Sequence, residues 1–148
     1  MDQEMLGAVM SRTVAEGTLA GRMGITIVAA SAARVVATMP VEGNTQPQGL
    51  LHGGASCVLA ETAGSLGAFL HAGASRAVVG IEISATHHRG AREGEVTAVA
   101  TLAHGGRTLA TYDIVITDAG GRRVCTSRLT CLIRDRAAGL DRNGADGK

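Results

Sequence analysis

The sequence predicts an α+β fold in which an antiparallel β-sheet packs on one long central helix. Apolar residues recur at helical spacing from about Gly53 to His71, and the alternation of apolar and polar residues switches to a period of two after Gly73. The predicted order is helix, two strands, long helix and four strands with short links. This order indicates one sheet on one helix but leaves the strand order open.

The remaining elements follow from local patterns. Met5, Val9 and Val14 are part of an amphipathic pattern that predicts an additional N-terminal helix over residues 2–20, with Asp2 as its N-cap. Runs rich in Ile, Val and Thr predict strands over residues 24–30 and 33–39, and a loop leads from there to His52. The later strands are predicted over residues 77–84, 95–104, 107–117 and 123–134.

Size and composition favour a single domain. The chain has 148 residues, 45% of them hydrophobic, which suits one domain over residues 1–134. Residues 135–148 lose apolar content, and we expect a disordered polar tail there. With one Phe, one Tyr, no Trp and 21 Gly, the core is built from small side chains that each bury little area. Burial between subunits would compensate, so we expect an oligomer.

Charge and cysteine usage exclude several classes of protein. The net charge is +1, with 14 basic residues scattered among 13 acidic ones, which argues against a nucleic-acid partner. No apolar run approaches the roughly 20 residues needed to cross a bilayer, so we expect no membrane association and a cytoplasmic protein. Three cysteines without C-x-x-C spacing are expected to be reduced, and the sequence shows no metal-binding motif.

Two glycines open the central helix. Gly53 and Gly54 cost about 1 kcal/mol each relative to Ala inside a helix, so a requirement for bare backbone is indicated. Unpaired N–H groups at a helix start can bind a polar ligand atom, for example a thioester carbonyl oxygen that gains charge when attacked. The alternative is that the glycines only permit tight packing.

A single carboxylate lies on this helix. Glu61 is the only acidic or basic residue between His52 and His71, and Ser65 and Gly54 lie on nearly the same line of the helix. A carboxylate in such surroundings is often functional. The alternative is a solvent-facing Glu on an ordinary amphipathic helix.

The segment from Gln46 through His52-Gly53-Gly54, continuing to Glu61 and Ser65, resembles the active-site stretch of hotdog-fold acyl-CoA thioesterases. The resemblance is to the branch of the Arthrobacter-type 4-hydroxybenzoyl-CoA thioesterase and 1,4-dihydroxy-2-naphthoyl-CoA hydrolase, with phenylacetyl-CoA thioesterases nearby. It extends through residues 79–82, His87, Arg89, 91–94 and 127–130, and covers about residues 24–134.

The resemblance implies a hotdog fold, a homodimer with the active site at its interface, and a homotetramer of two dimers. One subunit is expected to supply the helix with both Gly54 and Glu61. Glu61 corresponds to the catalytic carboxylate and the Gly54 amide to the donor that polarises the carbonyl. Gln46 and His52 match residues that position the thioester or water, and Ser65 matches one that orients the attacking group.

The resemblance also implies a set of residues for the coenzyme A portion of the substrate, with no separate cofactor. These residues are Gly53, Gly80, His87, His88, Arg89, Gly90, Arg92, Gly106, Arg107 and Thr108. His87 and His88 are adjacent in an extended segment, so their side chains point to opposite faces and cannot chelate one metal.

The sequence leaves several functional alternatives open. Glu61 acts either as a nucleophile or as a general base, and the acyl group is either aromatic or a phenylacetyl or medium-chain group. Gln48 is polar where the branch often has an aromatic or apolar residue, and the chain has few aromatics, which weakens the aromatic assignment. A protein that binds acyl-CoA without hydrolysing it, and a hydratase on the same scaffold, are the alternatives of another class.

Overall fold

A computed structural model describes residues 3–136. The elements along the chain are α1 (Gln3–Thr13), α2 (Leu19–Arg22), β1 (Thr26–Ala30), β2 (Arg34–Pro40), α3 (Gly53–Ala72), β3 (Arg76–His87), β4 (Glu95–Gly105), β5 (Leu109–Thr117) and β6 (Arg123–Asp135). The six strands form one antiparallel sheet in the order β1-β2-β4-β5-β6-β3. The fold class predicted from the sequence, including the additional N-terminal helix, is confirmed.

The N-terminal helix is shorter than predicted. A continuous helix over residues 2–20 is wrong, because α1 ends at Thr13 and α2 begins at Leu19. Gly17 has a φ of 88°, which an L side chain rarely adopts, and Thr18 caps α2 by accepting a hydrogen bond from the Gly21 N–H at 3.0 Å. A break and a new cap therefore interrupt the apolar periodicity. Asp2, the predicted cap, lies outside the described residues.

Other boundaries shift by a few residues. β3 extends to His87, β5 begins at Leu109 instead of residue 107, and β6 continues through Asp135. Of the predicted tail, residues 137–148 lie outside the described residues, so the disorder assigned to them stays a prediction.

Glycines bring α3 unusually close to the sheet. A Cβ at Gly64 would lie 2.7 Å from Leu129 Cδ2, and one at Gly67 would lie 2.6 Å from Tyr112 Cε1. Real Cβ atoms do not approach other atoms so closely, so only glycine allows this packing. The depth of α3 against β5 and β6 is fixed at these two positions.

The loop between β2 and α3 is held by Asn44. Its side-chain Nδ2 donates to the carbonyl oxygens of Met23 and Pro40, each at 2.9 Å, and its own carbonyl accepts from the His52 N–H at 2.9 Å. The Leu51 N–H donates to the Ala91 carbonyl at 2.7 Å. The loop therefore delivers His52 to the start of α3 in a fixed position.

Within residues 3–136, no helix is long and apolar enough to cross a bilayer. Cys57, Cys125 and Cys131 are free thiols, the last two buried in β6.

Tyr112 provides a test of the core. Its side chain is fully buried, its hydroxyl donates to the Ala32 carbonyl at 2.6 Å, and burial, with a smaller contribution from Cys131, raises the pKa of Tyr112 to about 12. The unfolded chain ionises Tyr112 near its ordinary value of 10.0, so the contribution of the neutral phenol to stability is complete below pH 10 and is lost as the pH rises towards 12.

We expect Tyr112→Phe to be less stable at neutral pH by about 1 kcal/mol, because the Ala32 carbonyl loses its donor. The variant should also lose less stability between pH 10 and pH 12 than the wild type. Urea unfolding followed by circular dichroism at a series of pH values measures both effects. Identical alkaline slopes in the two proteins would contradict the assignment.

Candidate active site

The start of α3 is capped by a histidine side chain. His52 is the N-cap residue, and its Nδ1 accepts a hydrogen bond from the Gly54 N–H at 2.8 Å. The neutral imidazole therefore carries its proton on Nε2. This corrects the expectation that Gly54 holds the unpaired amide of the helix start. The Gly53 N–H has no acceptor among residues 3–136, so it is the amide left for a ligand.

His87 lies directly over Gly53. A Cβ at Gly53 would lie 2.9 Å from His87 Nε2, so the bare backbone at this position makes room for the imidazole. His88 points to the other face of the sheet, where its Nε2 lies 2.9 Å from the hydroxyl oxygen of Thr126. The predicted opposite orientation of the two histidines is thus observed.

One cavity gathers several of the predicted binding residues. It encloses about 280 Å³ beside the helix start and is lined by Gln46, Leu50, Leu51, Ser56, His87, His88, Arg89, Gly90 and Val124. Gln46 Oε1 accepts from the Gln48 N–H at 2.8 Å, which fixes the side chain in the loop. Arg92 lines a separate cavity of about 310 Å³ that continues past Gly90.

Glu61 lines a different and larger groove. It encloses about 630 Å³ between α3 and the N-terminal helices and is lined by Val9, Arg12, Thr13, Leu19, Ala20, Val58, Glu61, Thr62, Ser65, Leu66, Phe69 and Arg136. Glu61 and Ser65 thus share a mainly apolar groove, as their spacing on the helix predicts. The sequence does not predict that α1 contributes to the wall of this groove, because it does not show where that helix packs.

Glu61 and the Gly53 amide are far apart in one protomer. The two residues are separated by about 12 Å along the helix axis, and the groove of Glu61 shares no lining residue with the cavity of Gln46 and His87. Glu61 lies against Gly80 of β3, and Gly53 lies against His87 of the same strand. Gly80 and His87 are seven residues apart, which is about 23 Å along the strand. A single subunit therefore does not present both groups to one thioester.

The remaining predicted residues lie at the opposite end of β3 from His87. Gly106, Arg107 and Thr108 form the hairpin between β4 and β5. The Arg107 carbonyl accepts from Arg76, the first residue of β3, at 2.8 Å. The Gly106 carbonyl lies 3.1 Å from His71 Nε2. Within one protomer the structure does not bring this hairpin to the cavity of Gln46 and His87.

Sequence reasoning missed one residue beside Glu61. Cys131 is fully buried and pairs in register with Gly80, and its thiol lies near the Ser65 hydroxyl. Burial raises the pKa of the Cys131 thiol, the Ser65 hydroxyl lowers it, and the nearby Glu61 charge raises it. Strand alternation predicts that Cys131 points inward, but only the strand order shows that it faces the end of Glu61.

No cluster of three or more His, Cys, Asp or Glu side chains in the described part of the chain is arranged to hold a metal ion.

Comparison with known proteins identifies the family. A family model described as the Thioesterase superfamily matches residues 48–125, a span that runs from the loop before His52 into β6. The chain belongs to the thioesterase superfamily. Its members are thioester hydrolases, and this chain is one.

Individual relatives agree with this assignment. The proofreading thioesterase EntH of Cronobacter sakazakii is 48% identical over 118 residues, which cover 79% of this chain and 86% of that protein. The crystal structure of a thioesterase variant from Pseudomonas aeruginosa has a TM-score of 0.81 at 38% identity, covering 92% of this chain and 96% of that one. A thioesterase from Haemophilus influenzae has a TM-score of 0.80 at 38% identity, covering 84% of this chain and 88% of that one.

Proposed function

We propose that this thioesterase hydrolyses acyl-CoA at a site shared by two copies of the chain, with Glu61 from one protomer and the Gly53 amide from its partner. The observation that carries the proposal is the separation of these groups within one protomer. Each group alone lacks the other half of an acyl-transfer site, and a two-fold dimer supplies it.

The edge of β3 is suited to the pairing of two copies. β3 pairs with β6 on one side, and its other side has no partner strand among the described residues. It is 12 residues long, and Val79 and Ile81 are each 55% exposed near its middle. A long edge with exposed apolar side chains is a template for strand pairing. We infer that two copies join here into one continuous antiparallel sheet.

This dimer would bring the separated groups together. A two-fold axis near the middle of β3 sets the His87 end of the partner beside Arg76 of the first protomer. Glu61 contacts β3 at Gly80, which is closer along the strand to Arg76 than to its own His87. Along the strand direction, the partner's His87, with the Gly53 that it covers, is therefore nearer to Gly80 than the His87 of the same chain is. This replaces the expectation that one subunit supplies both groups.

The chemistry follows from these positions. The carbonyl oxygen of the substrate accepts from the Gly53 N–H at the positive end of α3, which stabilises the oxyanion that develops. Glu61 then attacks the carbonyl carbon, or removes a proton from a water molecule that attacks. The carbon–sulfur bond breaks, the CoA sulfur leaves and is protonated to the thiol, and water provides the second oxygen of the free acid. Both routes require the same approach of carboxylate to carbonyl.

The polar residues around the helix start have supporting roles in this proposal. His52 Nε2 carries the proton that can donate to the thioester or to water, and Gln46 lies in the adjoining cavity. Ser65 lies one turn after Glu61 in the groove and orients the attacking group. Arg89 and Arg92 are proposed to bind CoA phosphates, since guanidinium groups suit phosphate geometry.

The hairpin of Gly106, Arg107 and Thr108 fits the same arrangement. It lies at the Arg76 end of β3, which the proposed dimer sets beside the partner's His87. We propose that it completes the CoA-binding surface from the second copy. We also propose that two such dimers associate into a tetramer in the cytoplasm.

The groove of Glu61 is the proposed acyl site. Its volume of about 630 Å³ and mainly apolar lining suit an aromatic acyl group such as 4-hydroxybenzoyl or 1,4-dihydroxy-2-naphthoyl. A phenylacetyl or medium-chain acyl group is the second candidate, because Phe69 is the only aromatic residue lining the groove. Thiol release from a panel of these CoA esters separates the two.

Glu61→Gln should lower kcat by at least about 100-fold, because the amide is neither a nucleophile nor a base. The melting temperature should stay near that of the wild type, since Glu61 is exposed in the groove and forms no ion pair within residues 3–136. Thiol release and thermal denaturation measure the two quantities. A variant that unfolds, or one with full activity, would refute the catalytic role.

The Gly53 amide can be tested with a matched pair of substitutions. Gly53→Pro removes the N–H at the first position of α3, where proline is well tolerated, and His52 already has the extended backbone (φ −67°, ψ 133°) that precedes a proline. Gly53→Ala adds the same Cβ beside His87 but keeps the N–H. We expect kcat of Gly53→Pro to lie about 100-fold below that of Gly53→Ala. Equal kcat values would exclude the amide as the oxyanion donor.

Mixed dimers test whether the site is shared. A heterodimer of one Glu61→Gln chain and one Gly53→Pro chain, isolated with two different affinity tags, contains one site with both defects and one intact site. It should show about half the wild-type activity, while both parent homodimers are inactive. A heterodimer as inactive as its parents would show that each site is built within one chain.

A further inference from the structure

The carboxylate of Glu61 lies so close to Gly80 that a side chain at position 80 would crowd it. A Cβ built on Gly80 would lie 3.1 Å from Glu61 Oε1, which is closer than most side-chain contacts. Gly80 pairs in register with Cys131 of β6, immediately before a register shift between Gly80 and Glu82. Cross-strand partners point to the same face of a sheet, so the carboxylate lies beside the Cys131 thiol.

Cys131 is suited to orient a neighbouring group and not to react. Its side chain is fully buried, and both burial and the Glu61 charge raise the pKa of the thiol, so it stays protonated. The thiol lies near the hydroxyl of Ser65, which is one helical turn from Glu61, so Cys131 packs against both polar groups of the groove. The bulge between Gly80 and Glu82 also influences the groups around Glu61, since bulges change the direction of nearby side chains.

We infer that Gly80 and Cys131 are positioning residues for Glu61. Gly80 leaves the room in which the carboxylate rests, and the buried Cys131 thiol forms the wall beside Ser65 and the carboxylate. The inference depends on the proposed catalytic role of Glu61. It assigns Gly80 to the carboxylate, whereas the sequence resemblance placed Gly80 with the CoA-binding residues.

Gly80→Ala separates these two roles. The added Cβ displaces the carboxylate, so kcat should fall by about tenfold to 100-fold while KM for the acyl-CoA stays near the wild-type value. Steady-state kinetics and the mass of the oligomer in solution are measured together. A higher KM with unchanged kcat would instead assign Gly80 to CoA binding and overturn the inference.

Cys131 is tested with two substitutions that differ in hydrogen bonding. Cys131→Val keeps a side chain of similar size but removes the polar thiol next to Ser65 and Glu61, and kcat should fall by about tenfold at constant KM. Cys131→Ser restores a donor and should recover most of the lost kcat. Cys125→Val is the matched control. Cys125 is equally buried and faces the same side of β6, but it lies six residues from Cys131 along the strand and so farther from Glu61. It should keep the wild-type kcat.

The outcomes distinguish this inference from the proposed function. If Glu61→Gln is inactive but Gly80→Ala and Cys131→Val keep the wild-type kcat, the positioning role is wrong and the catalytic role of Glu61 stands. If Cys131→Val and Cys131→Ser lose kcat equally, in proportion to a lower melting temperature, Cys131 acts only through packing and the inference fails. Full activity of Glu61→Gln would refute both.

Discussion

The contact of α3 with the sheet at Gly64 and Gly67 is the constraint on which the rest of the structure depends. Leu129 and Tyr112 occupy the positions that side chains at these glycines would fill. With so few aromatic residues in the chain, close approach of backbones replaces large buried side chains as the source of packing. The helix is thereby held at one depth, and this depth determines where Gly53 and Glu61 lie.

The proposed catalytic groups depend on that placement in different ways. At the start of α3, the His52 cap and the Asn44 loop orient the Gly53 amide. Two turns later, the carboxylate of Glu61 rests against Gly80 on β3. Because eight residues of one helix separate them by about 12 Å along its axis, these groups cannot approach each other within one chain. The proposed dimer solves this problem by geometry, without any movement of α3.

Much of the fold was predictable from the sequence, because its signals are periodic and local. The apolar stripe of α3 and the alternation in the later strands depend on neighbouring residues along the chain. Strand order was not predictable, since it depends on contacts between distant segments. The break between α1 and α2 was missed because Gly17 and Thr18 interrupt an apolar pattern that otherwise continues.

The candidate site was likewise only partly predictable from the sequence. Glu61 and Ser65 were identified from helical spacing, and the helix start was recognised from its two glycines. Which of the two amides is unpaired depends on the His52 side chain, whose direction no spacing reveals. Cys131 and Gly80 meet Glu61 only because β3 lies beside β6. The hairpin of residues 106–108 was grouped with His87 by resemblance, although one protomer holds them at opposite ends of a strand.

The attachment of α1 has a consequence for how this protein can diverge. α1 contains no buried residue, yet Val9 and Arg12 form part of the wall of the Glu61 groove. Mutations on this helix can reshape the wall without disturbing the glycine contacts that hold α3. Relatives that share α3 can therefore acquire a groove of different shape through changes in α1, at little cost to folding.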